Sequence, residues 1–109
     1  MTRPAFEDKV VAIIGSGSPL DRSIAVAFAE AGASIALATT ERAQEQEFAM
    51  ASIANEVWAI GREQLTRIID ATEPTEVAGF EAEVVDRMGR CDILVCSHHT
   101  LSQVPAEEL

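Results

Sequence analysis

The amino-acid sequence predicts an α/β fold, a doubly wound parallel sheet built by one domain over residues 1–109. Short apolar runs typical of buried strands alternate along the chain with apolar stripes at helical spacing. Apolar residues make up 48% of the chain and charged residues 24%, which is typical of a globular protein with a buried core. Strands that alternate with helices indicate parallel pairing through right-handed crossovers, with helices on both faces of the sheet.

The first unit of the chain is a strand, a tight turn and a helix. Residues 9–14 are a near-continuous apolar run rich in β-branched side chains, which favours a strand buried on both faces. The glycine-rich turn 15–17 follows it. Ser18 then has the position of a helix N-cap, with a proline next to it at the first helical position. Asp21 stands three residues after Ser18, as the acid of a capping box does.

Three more strands and two more helices follow the first unit. They are a strand over 34–38, a helix that opens in the polar stretch 39–47 and runs to residue 60, a strand over 65–69, a helix over 73–88 and a strand over 91–96. The helices are predicted to end at Gly32, Gly61 and Gly89, where a left-handed residue stops the helix. Arg67 interrupts the third strand. We expect four buried strands and three amphipathic helices to form most of the core.

Charge and cysteine content exclude several classes of partner. The 8 basic and 18 acidic residues leave a formal net charge of −10, which repels phosphate backbones and anionic membranes. We therefore expect no nucleic-acid partner and no membrane partner. No apolar run reaches the roughly 18 residues that a membrane helix needs. Cys91 and Cys96 lie on one predicted strand and do not indicate a disulfide framework, so a cytoplasmic location is expected.

The turn after the first strand is the first candidate for a binding site. A glycine-rich turn between a strand and a helix N-terminus presents backbone N–H groups to an anion, and the helix dipole adds about half a positive charge. Glycines also let the backbone approach a pyrophosphate closely. The spacing of Gly15 and Gly17 is weak evidence alone, but its context of strand before and helix after is the required one.

Three segments resemble motifs of the short-chain dehydrogenase/reductase family. Residues 14–25, Ile-Gly-Ser-Gly-Ser-Pro-Leu-Asp-Arg-Ser-Ile-Ala, resemble its cofactor loop. Residues 69–74, Ile-Asp-Ala-Thr-Glu-Pro, resemble its Asp-x-Thr-Asp-Pro stretch, and residues 88–95, Met-Gly-Arg-Cys-Asp-Ile-Leu-Val, its Gly-x-Ile-Asp-Ile-Leu-Val segment. The resemblance covers nearly the whole chain. It implies a Rossmann sheet with strand order 3-2-1-4, which binds NAD or NADP in an oxidoreductase acting on an alcohol or a ketone.

The resemblance also implies which residues contact the cofactor. They are Gly15, Ser16, Gly17, Ser18, Leu20, Thr39, Asp70, Ala71, Cys96 and Ser97. Thr39 stands where the family often places an acid for the adenosine ribose, and Arg42 has the position to reach a 2′-phosphate. A solvated loop that starts a helix explains both residues equally well. Asp70 matches an adenine-contacting aspartate of the family, with a turn residue before a helix as the alternative.

The chain departs from the family pattern in its glycine loop. Gly15 matches the first glycine of Gly-x-x-x-Gly-x-Gly, while Pro19 and Asp21 stand at the second and third. A carboxylate at the third position satisfies the helix dipole from within, and it repels an incoming pyrophosphate by about 1–4 kcal/mol at about 4 Å. Asp21 is alternatively a plain capping acid.

A second departure follows the fourth strand, where His98 and His99 replace small residues of the family. Two imidazoles would crowd the cofactor there, although one of them as a general base is a further option. Metal binding is not expected, because no other Cys, His or acidic residue stands at ligand spacing.

The catalytic groups of the family are not expected in this chain. The chain has no tyrosine, and Lys9 is its single lysine, so the family's Tyr-x-x-x-Lys pair and its serine are assigned to no residue. The sheet is expected to be incomplete beyond residues 92–96, an apolar edge that pairs with a second copy, another polypeptide or more of the same chain. A non-catalytic subunit with a closed cofactor site, or a module for another nucleotide, remain alternatives.

Overall fold

The computed structural model describes residues 5–39, 44–70 and 72–96, which form four strands and three helices. In chain order they are β1 (Val10–Gly15), α1 (Pro19–Glu30), β2 (Ser34–Thr39), α2 (Gln44–Ile60), β3 (Gln64–Ile68), α3 (Pro74–Met88) and β4 (Ile93–Cys96). The predicted alternation of strands and helices is confirmed. Each helix is followed by a glycine with positive φ at the predicted position.

The four strands form one parallel sheet in the order β3-β2-β1-β4. The strand order that the family resemblance implies is therefore confirmed. Gly15 at the end of β1 lies opposite Thr39 of β2, and Ile14 lies opposite Cys96 of β4. The carboxyl-terminal ends of β1, β2 and β4 thus meet at one edge of the sheet.

The core has two layers, one on each face of the sheet. Alternate residues of β1 and β2 pack against α1 and α2 in a cluster that includes Val11, Ile13, Ile35, Leu37, Ala25, Ala29, Ile53 and Val57. The intervening residues lie on the other face in a second cluster with α3, which includes Val10, Ala12, Ile14, Ala36, Ala38, Phe80 and Val84. Every residue of β1 is buried, as expected for a central strand covered on both faces.

The expectation of four buried strands is wrong for β3 and β4. Leu65 is the one buried residue of β3, and the residues of β4 are half-buried or exposed. Within the described part of the chain, each of these two strands pairs on one side only. An apolar run in the sequence does not distinguish an edge strand from a central one, because both present apolar side chains to the covered face.

Arg67, which interrupts the apolar pattern of β3, forms a link between the sheet and α3. Its Nε donates to both carboxylate oxygens of Glu83 at 2.9 Å, and its Nη2 donates to Oε2 at 2.6 Å. These hydrogen bonds hold the pKa of Glu83 below its usual value, and Arg87 adds to the effect. Arg67 thus ties the edge strand β3 to α3 through an ion pair.

Candidate functional site

The loop of residues 15–18 lies at the carboxyl-terminal edge of the sheet, where β1 passes into α1. β1 pairs with β2 on one side and with β4 on the other, and α1 and α3 pack on opposite faces. In open α/β sheets, ligands bind outside the carboxyl ends of the strands where the connections leave in opposite directions. The fold therefore places this loop at the topological position of a ligand site.

The loop ends in the predicted capping box. Ser18 is the N-cap of α1 in an extended conformation, and its Oγ accepts a hydrogen bond from the backbone N–H of Asp21 at 3.2 Å. In return, Oδ2 of Asp21 accepts from the backbone N–H of Ser18 at 3.1 Å. The interpretation of Asp21 as a capping acid is therefore confirmed.

Asp21 does more than cap the helix. Its Oδ2 also accepts hydrogen bonds from the backbone N–H groups of Ser16 at 3.1 Å and Gly17 at 2.9 Å. Together with Ser18, three consecutive N–H groups converge on one carboxylate oxygen, and the residue is fully buried. The donor set suits an anion, as a phosphate-binding nest does, but the anion is a side chain of the same loop. In this conformation the donors do not fit a cofactor pyrophosphate.

Gly17 fixes the path of the loop against α2. It has a φ of +82°, in the left-handed region, and a Cβ built at this position would lie 2.6 Å from the Cβ of Ala49 and 3.3 Å from the backbone N of Met50. Only glycine fits such a close approach without movement of the helix. The second turn of α2 therefore packs directly on the glycine loop.

Thr39 lies at the end of β2 beside the loop. It is 2% exposed, and its Oγ1 donates a hydrogen bond to Oε1 of Gln46 at 3.0 Å. A cleft of about 370 Å³ opens next to it between α2 and β3, lined by Thr39, Glu47, Met50, Ala51, Thr66, Arg67 and Ile68. Arg42, the candidate for a 2′-phosphate contact, lies outside the described residues.

Asp70 follows β3 at the same edge of the sheet and is exposed. Its Oδ1 accepts from the backbone N–H of Thr72 at 2.9 Å and from its hydroxyl at 2.5 Å, and these bonds lower the pKa of Asp70. Its own N–H donates to Oε1 of Glu76 at 2.9 Å. Asp70 is thus the turn residue before α3, and a contact with an adenine stays a prediction.

The remaining predicted site residues fall into two groups. Gly15 is buried at the end of β1, Leu20 is 61% exposed in the first turn of α1, and Cys96 is exposed at the end of β4. Ala71, Ser97, His98 and His99 lie outside the described residues. Within residues 5–39, 44–70 and 72–96, no three His, Cys, Asp or Glu side chains are grouped as metal ligands.

The sequence predicted the capping role of Asp21 but missed the two hydrogen bonds from Ser16 and Gly17. Those bonds depend on how the loop turns back over the start of α1, and capping patterns carry no information on that path. The available sequence signal is the acid at position 21, four residues after Gly17 of the loop. Across the described part of the chain, no helix combines the length and the hydropathy that a membrane crossing requires.

The chain matches a known protein family in sequence. The sequence pattern described as short chain dehydrogenase matches residues 9–109. An uncharacterized oxidoreductase of Mycobacterium tuberculosis strain CDC 1551 is 33% identical over 90 residues, which cover 83% of this chain and 32% of that protein.

Solved structures show the same likeness. An NAD+-bound xylitol dehydrogenase superposes with a TM-score of 0.72 at 29% identity, over 83% of this chain and 33% of its own. A short-chain type dehydrogenase/reductase from Mycobacterium marinum gives a TM-score of 0.70 at 28% identity, over 82% and 33%. The chain spans about a third of the length of these relatives.

Proposed function

The chain belongs to the short-chain dehydrogenase/reductase family, and we propose that it is the dinucleotide-binding part of an oxidoreductase that uses NAD or NADP. The observation that carries the proposal is the position of the 15–18 loop, between β1 and α1 at the switch point of a parallel sheet. The activity that we propose for the whole protein is oxidation of an alcohol or reduction of a ketone. The role of this chain is to bind and orient the cofactor.

The proposed contacts follow the edge of the sheet. On the pyrophosphate side are Gly15, Ser16, Gly17, Ser18 and Leu20, on the adenosine side Thr39 and Asp70, and at the end of β4 Cys96. Ala71 and Ser97, which lie outside the described residues, complete the proposed set. We assign no catalytic residue here. Lys9 precedes β1, at the opposite end of the strand from the loop, so its amine is not placed to act in the crevice. We also propose a cytoplasmic location, with Cys91 and Cys96 as free thiols.

Calorimetric titration of the chain with NADH and with NADPH tests this function. We expect saturable binding of at least one of them with a Kd on the order of 0.1–1 mM, weak because the loop donors are engaged by Asp21. The tighter of the two ligands identifies the cofactor. The amide NMR shifts of residues 15–18 should change on binding, whereas those of the residues that line the apolar cleft beside Phe28, such as Ser23 and Ala27, should not. Absence of binding by either ligand to a folded chain would favour the non-catalytic subunit with a closed site.

We also propose that the outer edge of β4 pairs with another strand, from a second copy of this chain or from another polypeptide. Within the described residues β4 pairs with β1 alone, and Leu94 in its middle is 37% exposed. An open apolar strand edge presents unpaired backbone groups and is a site of association.

Leu94→Lys should therefore weaken association of the chain. Sedimentation velocity over a range of concentrations should give a mass above the monomer for the wild type, shifted toward the monomer in this variant. Val85→Lys, which adds the same charge at a 47% exposed position of α3, is the matched control and should behave like the wild type. A wild-type chain that stays monomeric at all concentrations would contradict the proposal.

A further inference from the structure

We propose that Asp21 is an internal occupant of the loop's anion site: its carboxylate takes the three backbone donors that a cofactor pyrophosphate needs, and the dinucleotide gains them only by displacing it. This rests on the proposed function, because it concerns the same loop. Asp21 thereby sets the affinity of the site, whereas the family pattern has a glycine at this position.

The geometry of the loop is that of an occupied anion nest. The N–H groups of Ser16, Gly17 and Ser18 point at one oxygen, Oδ2 of Asp21, at 3.1, 2.9 and 3.1 Å. Successive backbone N–H groups arranged in this way form the concave sites that bind phosphate oxygens in other proteins. A phosphate oxygen in the nest would have to replace Oδ2, because the same three protons cannot satisfy two anions at once.

Several contacts hold the carboxylate in place. Asp21 lies in the first turn of α1, where the helix dipole favours a negative charge, and the Oγ of Ser18 accepts from its backbone N–H. The residue is fully buried. Gly17 packs on Ala49 of α2, which limits how far the loop can open around an additional ligand. Binding of a pyrophosphate therefore requires the Asp21 side chain to leave the nest, rather than the loop to widen.

The competition acts on the phosphates of a ligand and not on its nucleoside. Adenosine is uncharged and has no phosphate to bind the three N–H groups of the nest, so Asp21 does not oppose its binding. NADH and inorganic pyrophosphate carry anionic groups that compete directly with the carboxylate. Substitution of Asp21 should therefore change the affinity for NADH and for pyrophosphate but not that for adenosine. A general change in stability would not distinguish between these ligands.

The test compares Asp21→Gly and Asp21→Asn with the wild type and with Glu30→Gln. Glu30 is exposed at the last position of α1, so its substitution removes the same charge without touching the loop. Asp21→Asn keeps the shape of the side chain and serves if Asp21→Gly does not fold. The probes are NADH, inorganic pyrophosphate and adenosine, measured by calorimetry and by the amide NMR shifts of Ser16, Gly17 and Ser18.

We expect both Asp21 variants to bind pyrophosphate and NADH at least about tenfold more tightly than the wild type, with the larger gain for glycine. Glu30→Gln should bind like the wild type, and adenosine should bind all four proteins equally. If the Asp21 variants gain pyrophosphate affinity but no protein binds NADH, the inference stands and the proposed function fails. If the wild type binds NADH as tightly as the Asp21 variants, with shifts at the loop amides, the inference is overturned and the proposed function stands. If no variant binds either anion, both are overturned.

Discussion

Replacing Gly17 with alanine should lower the free energy of unfolding by about 2–5 kcal/mol, one of the two largest effects that we expect in this chain. Two causes add. The left-handed backbone at Gly17, with φ +82°, strains any residue that has a Cβ. The new methyl group would also lie 2.6 Å from the Cβ of Ala49, so α2 has to move away from the loop. Urea denaturation followed by circular dichroism measures the loss.

Gly61→Ala is the matched control for this prediction. Gly61 also has a positive φ, +99°, but a Cβ at this position meets no atom within 4 Å. This variant carries the backbone strain without the collision, and it should lose only about 1–2 kcal/mol. Equal losses in the two variants would show that the contact between the loop and α2 is not tight, and that backbone strain alone explains the effect.

The order of helices and strands in this chain was predictable because its signals are local. Each helix has its apolar stripe and a glycine after its last turn, and β1 is a continuous apolar run between a charged residue and a glycine. The exposure of β3 and β4 was not predictable, since it depends on which strands have a neighbour on each side. The sequence of Ile93 to Cys96 reads like that of β1, and only the topology makes it an edge.

The candidate site was predictable to the same extent. The spacing of Ser18 and Asp21 predicted the capping box, because a capping box depends on positions along one helical turn. The hydrogen bonds of Asp21 with Ser16 and Gly17 depend on the path of the loop, which lies against α2 at Gly17, and a local sequence pattern does not specify that tertiary contact. The hydrogen bond between Thr39 and Gln46 joins β2 to α2, and local sequence patterns do not predict it either.

The second large effect is expected at Phe80, whose replacement by alanine should lower the free energy of unfolding by about 3–5 kcal/mol. The sheet face beneath α3 carries three alanines, Ala12, Ala36 and Ala38, beside the larger Val10, Ile14 and Leu65. Phe80 is 2% exposed and is the largest side chain that α3 contributes to this layer, with Val84 as its other buried residue. Alanines on the sheet cannot fill the space that a lost ring would leave, so the cavity should persist.

Val85→Ala is the control for Phe80→Ala, because Val85 is 47% exposed on the same helix and its truncation should change the stability by less than about 0.5 kcal/mol. Phe80→Leu should fall between the two, as a smaller apolar side chain refills part of the space. A loss at Phe80 no larger than at Val85 would mean that α3 is not anchored to the sheet through this ring.

The result also bears on the site, because α3 covers the sheet face opposite α1 and completes the switch point at the end of β1. If Phe80→Ala detaches α3 from the sheet while α1 and α2 stay folded, the variant keeps the glycine loop but loses the crevice beside it. Comparing its affinity for NADH with that of the wild type would then separate the contribution of the loop from that of the fold around it.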